Sequence, residues 1–362
     1  MKKLISCLFI LSISISFHIK GQTHYAFDGT GKSRSERLAA LTIAGIVNRE
    51  QPRLFLKNVF ETWSYQLTDE KWMQHFEDHE SISFEYINNI QTLITTFENE
   101  LNGAILYDAQ ETYSNFPGQT ILWQGEFAAM LGGLSDCVPV PVDKQAEWNY
   151  FADQNVTLQS FDGSAQMTMA ANLTLDEWIW NQPTSEDRYM IMLNWGVENI
   201  LPLCNPNSFF IREITDWAVS KKMFQVDIAG SEAGALDFYT LSDDKATLLE
   251  DLFYFFRQQN PDSLFYIYGW MQPEPLVQWF SSYGASFHES MQANLSWFHV
   301  FPTPAQMPQR ASIVQPENLI LEDKYYLIFI SSEGDAGNWN FGFQGDAWQS
   351  SKRGQVPIGW GF

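Results

Sequence analysis

The sequence predicts an α/β protein in which an N-terminal α/β domain with a mostly parallel sheet is followed by an incomplete (β/α) barrel-like domain. Short apolar runs rich in β-branched and aromatic residues alternate with amphipathic segments along most of the chain. Polar residues follow several predicted strands directly, which is typical of the carboxyl rim of a (β/α) barrel. The second half of the chain offers only about five strands, fewer than the eight that close such a barrel.

The N-terminal half is predicted to contain an early helix that runs through Leu38 and Val47. Ser33 or Ser35 is expected to cap this helix, and Pro52 follows it. The further predicted strands are 53–56, 82–86, 103–107, 137–142 and 156–161, and the further helices lie near 60–77, 88–101, 125–134 and 174–181. Because strands and helices alternate in this order, we expect a mostly parallel sheet.

A link that contains Pro206 separates this region from a second cycle of strands and helices. The predicted strands are 224–229, 264–270, 294–301, 325–332 and 356–360, and the predicted helices are 243–258 and 273–282. We therefore place the N-terminal α/β domain at 22–205 and the barrel-like domain at 206–362.

The first 21 residues have the pattern of a signal peptide. Lys2 and Lys3 precede an apolar run from Leu4 to Ile19, and Gly21 offers a small residue for cleavage before Gln22. The run is too short, and too polar at its end, for a membrane-spanning helix. We therefore expect cleavage after residue 21 and a secreted or periplasmic protein without a transmembrane helix.

Composition and spacing exclude several classes of protein. A formal net charge of −22 at pH 7 argues against nucleic acid or an anionic membrane as a partner, because no basic patch would hold a polyanion. Gly132 and Gly133 lack the spacing of a nucleotide-binding loop. No zinc-type spacing and no Gly-x-Ser-x-Gly motif occurs, so we predict neither a metal nor a cofactor. Cys137 and Cys204 either form a disulfide or remain two buried thiols.

An apolar run near the C-terminus ends in two acids. The predicted strand 325–332 is followed by Glu333 and Asp335, with Gly334 between them to permit a tight turn. Cleavage of a glycosidic bond needs two carboxyl groups that face one sugar. Glu333 and Asp335 are therefore candidate catalytic residues at the barrel rim, and the alternative is a solvated acidic loop or a cation site.

Three other acids are candidates for the same rim. Glu274 follows the predicted strand that ends at Trp270, so we expect it to be a catalytic partner of Asp335. Glu289 lies ahead of the predicted strand 294–301 and has the same potential. Asp227 lies inside a predicted strand, where alternation would turn it either toward the barrel interior or outward. An ordinary surface charge is the alternative for Glu274 and Glu289.

Five segments together resemble a known bacterial family, the GxGYxYxP putative glycoside hydrolases. The segments are Thr42–Arg49 with 51–55, which resembles its N-terminal signature; 211–219, which resembles the start of its C-terminal domain; 293–296, an Asn-Leu-Ser element; 332–335, a strand end; and 353–360, an Arg-Gly, Pro, Gly-Trp run. The resemblance implies an N-terminal α/β domain, a barrel-like domain and a carbohydrate ligand.

The chain departs from that family pattern in two places. Glu333 stands where the pattern has Asp, and Asn338 is displaced by two positions from the expected Asn. The motif that names the family is absent, because the chain stops before it. We therefore expect the natural protein to continue beyond Phe362, with the strand at 356–360 otherwise exposing an unpaired edge.

Aromatic and polar residues near the predicted strand ends are candidates for sugar binding. The flat faces of Trp270 and Trp339 suit stacking against a sugar, although the core is the usual place for any single Trp. Asn294 belongs to the Asn-Leu-Ser element, and His299 follows it on the predicted strand. The alternative for His299 is a hydrogen-bonded core or rim residue.

Two functions from different classes are consistent with these residues. In the first, the protein hydrolyses a polysaccharide or glycan outside the cytoplasm through a pair of carboxylates. In the second, it is a non-catalytic envelope protein that only binds glycan. Two carboxyl groups facing across a pocket favour the enzyme, whereas one carboxylate beside stacked Trp favours the binder.

Overall fold

The computed structural model describes fifteen parts of the chain. They are residues 23–60, 65–110, 112–114, 120–148, 159–161, 167–168, 174–175, 185–212, 214–227, 243–270, 276–289, 292–301, 329–331, 351 and 358–360. In this part of the chain every helix falls short of the length and apolarity needed to cross a membrane.

The described N-terminal elements alternate between strands and helices. They are β1 (His24–Asp28), α1 (Arg34–Val47), β2 (Leu54–Lys57), α2 (Tyr65–His79), β3 (Phe84–Ile87), α3 (Ile90–Thr96), β4 (Gly103–Tyr107), β5 (Tyr113–Ser114), β6 (Thr120–Ile121), α4 (Trp123–Ser135), β7 (Cys137–Pro141), α5 (Gln145–Trp148), β8 (Gln159–Phe161), β9 (Met167–Thr168), β10 (Thr174–Leu175) and α6 (Ser185–Asn199). Two parallel sheets result, with strand orders β2-β1-β3 and β7-β4-β8. The central strand β1 was not predicted.

Ser33 caps the first helix. Its hydroxyl accepts the backbone N–H of Glu36, and the Glu36 carboxylate accepts the Ser33 N–H in return. This capping box satisfies two of the free donors at the start of α1. The structure thus selects Ser33 over Ser35 as the cap.

The helix predicted at 174–181 is wrong where the structure describes it. Thr174 and Leu175 form strand β10, which pairs antiparallel with β9 through Thr168 and Met167. Thr174 is the register partner of Thr168, and β-branched residues such as Thr favour strands.

The described C-terminal elements also alternate. They are β11 (Ser208–Ile211), α7 (Asp216–Ser220), β12 (Phe224–Val226), α8 (Asp243–Gln259), β13 (Phe265–Gly269), α9 (Leu276–Ser282), β14 (Ala285–Glu289), α10 (Leu295–Val300), β15 (Phe329–Ser331) and β16 (Ile358–Trp360). The strands β12-β11-β13-β14 form one parallel sheet in that order, and β15 pairs parallel with β16. The predicted α/β class with mostly parallel sheets is confirmed, and the described residues contain no closed barrel.

The strand predicted at 294–301 is also wrong, because Leu295–Val300 is helix α10. Asn294 precedes it with a left-handed backbone (φ 71°), and the buried Asp216 carboxylate accepts the N–H groups of Asn294 and Ser296. These bonds satisfy donors at the start of the helix. The strand prediction failed because it rested on aromatic and β-branched content, which does not reveal such long-range bonds.

Two asparagines cover the free edge of strand β2. The outward backbone groups of Leu56 pair with the Asn294 side chain in two bonds of 2.7 Å. Those of Leu54 pair with Asn48 at 2.8 and 2.9 Å. Asn48 also donates to the Ser296 hydroxyl at 3.1 Å. The side-chain amides therefore take the place of a neighbouring strand.

We call Asn48, Asp216, Asn294 and Ser296 the asparagine joint. All four lie in segments that carry the family resemblance, and they connect the two halves of the chain. The main hydrophobic core is likewise continuous from Phe27 to Ala285. The two halves therefore pack on one core, and the domain boundary at 205/206 stays a prediction.

Candidate functional site

The carboxyl ends of four neighbouring strands form the candidate site. Arg212 follows β11, Asp227 follows β12, Trp270 follows β13, and Glu289 is the last residue of β14. Loops beyond the carboxyl ends of parallel strands are where binding and catalytic groups gather in α/β folds. We call this edge the carboxyl rim.

Arg212 places a buried cation at the carboxyl rim. Arg212 is 1% exposed, and its backbone has a positive φ of 96°. Its N–H donates to the Val226 carbonyl at 2.8 Å, and its carbonyl accepts from the Gln225 side chain. The guanidinium carbon lies 4.7 Å from the centre of the Trp270 ring. This cation–π contact fixes both side chains at the rim.

A close backbone approach brings Trp270 to this position. Gly269 has φ 114°, and a methyl group built on it would lie 1.8 Å from the Ile211 carbonyl oxygen. The Trp270 N–H then donates to the same oxygen at 3.2 Å. Only glycine permits this end of β13, because any side chain would collide with β11.

Asp227 lies beside a buried tyrosine. From the sequence it was expected inside a strand, but it follows β12 directly. It is 1% exposed. Its backbone N–H donates to the Tyr189 hydroxyl at 2.7 Å. Burial, and then the Asp227 charge, raise the pKa of Tyr189 well above its usual value. Tyr189 therefore stays a neutral hydroxyl next to this acid.

Glu126 is a second buried acid close to the end of β11. It is 3% exposed, and its carboxylate accepts the Ile214 N–H at 2.6 Å. The Arg34 guanidinium lies 3.5 Å from its other oxygen. Sequence reasoning missed Glu126, Tyr189 and Arg212. The available signals were a lone acid in the apolar helix α4 and a charge directly after the apolar run of β11.

The structure separates the predicted binding residues into two groups. Asp227 and Trp270 lie at the carboxyl rim, whereas Asn294 belongs to the asparagine joint and is 2% exposed. His299 is exposed on α10, where its Nε2 atom lies 2.8 Å from the Lys221 ammonium. Burial, and then the Lys221 charge, lower the pKa of His299.

The predicted catalytic residues Asp335, Glu333 and Glu274 lie outside the described residues, as does Trp339. The strand expected ahead of the two acids is present, since β15 ends at Ser331. In the described part of the chain no group of His, Cys, Asp and Glu side chains has the geometry of a metal site.

Comparisons with known proteins agree with the sequence resemblance. Residues 23–99 match the first domain of the GxGYxYP_N model, and residues 323–362 match the GxGYxYP putative glycoside hydrolase C-terminal domain. These matches confirm the predicted resemblance. A search of curated proteins finds no match.

A solved structure shares the fold. It is the crystal structure of a putative hydrolase from Bacteroides thetaiotaomicron VPI-5482, with 16% sequence identity and a TM-score of 0.63. The alignment covers 94% of this chain and 57% of that chain. This chain therefore spans less than two thirds of the length of that protein.

Proposed function

We propose that this protein hydrolyses glycosidic bonds at the carboxyl rim of the sheet β12-β11-β13-β14. The observation that carries the proposal is the gathering of Arg212, Asp227 and Trp270 at the ends of three neighbouring parallel strands. The match of residues 323–362 to a putative glycoside hydrolase domain supports the same direction. The signal-peptide pattern of the sequence supports a location outside the cytoplasm, in a secreted or periplasmic protein.

The chemistry requires two carboxyl groups on opposite sides of one glycosidic bond. In our proposal Asp335 is one of them, and Glu333 or Glu274 is the other. One protonates the leaving oxygen, while the other acts as nucleophile or activates a water molecule. Trp270 offers a ring for the sugar to stack on, and the buried Arg212 guanidinium beside it holds that ring in place.

The test is the release of reducing ends from a panel of polysaccharides by the full chain. Asp335→Asn should lower turnover by about 10²–10⁴-fold, which is the usual contribution of a general acid or base. Asp262→Asn is the matched control, because Asp262 is an exposed acid in the turn after α8. Turnover that is unchanged by Asp335→Asn, Glu333→Gln and Glu274→Gln would rule out the carboxylate pair. Circular dichroism and melting curves show whether each variant remains folded.

A specific observation favours the alternative of a glycan-binding protein without catalysis. Asp227 is buried, so this carboxylate at the rim is not open to a substrate in the described structure. In that case the full chain would bind a polysaccharide and release no reducing ends from it. Equilibrium binding, measured beside the turnover assay, separates the two functions.

A further inference from the structure

A strip of rings lies on one face of the sheet β12-β11-β13-β14 and continues onto the neighbouring helices. Tyr266 and Tyr268 come from β13, His288 from β14, Trp217 from α7 and His299 from α10. We call these five residues the aromatic strip. None of them is required by the chemistry proposed above.

The geometry of the two strands aligns the rings. Tyr266 and Tyr268 are two residues apart, so both point to the same face of the sheet. The parallel register places His288 beside Tyr268. The His288 ring stacks on Tyr268 with 5.4 Å between centroids and lies 5.5 Å from Tyr266. The strip is therefore continuous across both strands.

The helices extend the same surface. The Trp217 ring lies 6.1 Å from Tyr268 and 4.9 Å from His299, edge to face in both pairs. The Lys221 ammonium lies 4.7 Å from the centre of the Trp217 ring. One surface thus joins five rings and one cation.

Burial differs sharply between the two faces of β13. Phe265 and Ile267 point to the core and are fully buried, whereas Tyr266 is 40% exposed. His288 and His299 are exposed, and Tyr268 and Trp217 are half-buried. A strand with one apolar buried face needs no aromatic residues on its outer face. The outer rings are therefore available for a ligand.

The chemistry of the aromatic strip suits a sugar chain. Tyr and His rings offer flat faces for the C–H groups of a sugar, and their hydroxyl and imidazole edges offer hydrogen bonds. The chain carries a formal net charge of −22, which disfavours a polyanionic ligand. Lys221 is already placed over Trp217 and beside His299, so it is not a free anchor for anions. These charges favour a neutral glycan.

The aromatic strip leads to the carboxyl rim. Tyr266 and Tyr268 lie on β13, and Trp270 follows the strand directly and stands at the rim beside Arg212. Two residues of a strand span about 6.6 Å, so a ligand that covers the strip and the rim needs several sugar units.

We propose that the aromatic strip binds a neutral, linear glycan of several sugar units and holds it along β13 toward the carboxyl rim. The direction toward the rim rests on the proposed function, whereas binding to the strip does not. Once the strip holds one part of a glycan, binding of the next part at the rim becomes intramolecular. Long chains should therefore bind more tightly than short ones.

The test is affinity electrophoresis of the full chain in native gels that contain a neutral polysaccharide: a β-glucan, a xyloglucan or a galactomannan. We expect at least one of them to retard the protein. The double variant Tyr266→Ala/Tyr268→Ala should weaken that binding at least tenfold. Tyr86→Ala is the matched control, since Tyr86 is 56% exposed on β3 of the sheet β2-β1-β3.

Several results would overturn the proposal. They are the absence of retardation in all three gels, an equal loss in Tyr86→Ala, and binding that is confined to an anionic polysaccharide such as alginate and disappears in salt. Light scattering that shows a dimer broken by the double variant would identify the strip as a contact between two copies. Asp335→Asn should still bind. Binding that depends on the tyrosines, without any hydrolysis by the wild type, would leave the strip proposal standing and reject the catalytic one.

Discussion

The Asp216 carboxylate accepts the backbone N–H of Ser296 at 2.9 Å, although 80 residues separate them in the chain. Its other oxygen accepts the Asn294 N–H at 3.0 Å. Burial raises the pKa of Asp216 to about 6, and these bonds oppose that rise. Both residues lie in segments that carry the family resemblance. Those segments therefore specify a structural joint between the two halves of the chain.

Removal of the Asn294 side chain should destabilise this joint strongly. Asn294→Ala leaves both outward backbone groups of Leu56 without partners. It also puts alanine at φ 71°, a left-handed backbone that asparagine tolerates better than alanine does. We expect a loss of about 2–5 kcal/mol in the free energy of unfolding. Asn294→Gly tolerates that backbone, so it should lose about 1 kcal/mol less. Chemical denaturation measures both, and equal losses would contradict the role of the backbone.

The close approach at Gly269 predicts a large effect of a single methyl group. Gly269→Ala has to move the β11 backbone, because the new carbon would lie 1.8 Å from the Ile211 oxygen. We expect a loss of more than about 4 kcal/mol, or an insoluble protein. Gly31→Ala is the control, since Gly31 also has positive φ but no atom within 4 Å of the added carbon. It should cost only about 1–2 kcal/mol. Similar melting temperatures for the two variants would refute the steric argument.

Asp69 on α2 predicts a pH dependence of stability. Burial raises its pKa to about 7, and it accepts the Asn58 N–H at 2.9 Å, with Lys57, Asp28 and Glu70 nearby. The folded protein therefore keeps a proton on Asp69 between about pH 4 and 7, where the unfolded chain has lost it. The free energy of unfolding should fall across this window as pH rises.

Asp69→Asn isolates that effect, because it keeps an acceptor for Asn58 and removes the charge. The stability of this variant relative to the wild type should rise from about pH 4 to pH 7 and then level off. Urea unfolding at several pH values measures this difference. Asp78→Asn, an exposed acid on the same helix, is the control. A constant difference between Asp69→Asn and the wild type would show that Asp69 does not titrate in this way.

The two described cysteines should resist alkylation in the folded protein. Cys137 and Cys204 are both free and buried, and burial raises the pKa of each thiol. Iodoacetamide requires an accessible thiolate, so labelling should be slow in native buffer and fast in guanidinium. Mass spectrometry of the labelled peptides counts the sites. Rapid native labelling, or a Cys137–Cys204 disulfide in the purified protein, would contradict the structure.

Hydrophobic periodicity and caps were sufficient to predict most described elements, as at β4, where the predicted and observed ranges coincide. They failed at α10, because the aromatic and β-branched run from Leu295 to Val300 has strand propensity. The bonds from Asp216 to its start come from a distant segment, and only the tertiary structure supplies them. Long-range hydrogen bonds therefore decided this helix against local propensity.

The candidate site was predictable only in part. Trp270 was expected at a strand end and lies there, whereas Asp227 was expected inside a strand and instead follows β12 directly. Arg212 and Tyr189 were missed, because strand order decides which loops become neighbours, and the order β12-β11-β13-β14 is not encoded in any local pattern. The roles of Asp335, Glu333 and Glu274 stay predictions.

The location of the site is tested most directly by a crystal structure of Asp335→Asn with a bound oligosaccharide from a polysaccharide that the protein binds. We predict a sugar ring at the carboxyl ends of β11, β12 and β13, stacked on Trp270, with residue 335 within hydrogen-bonding distance of the glycosidic oxygen or the anomeric carbon. A sugar bound at the amino ends of these strands, or on the sheet β2-β1-β3, would contradict the proposed site.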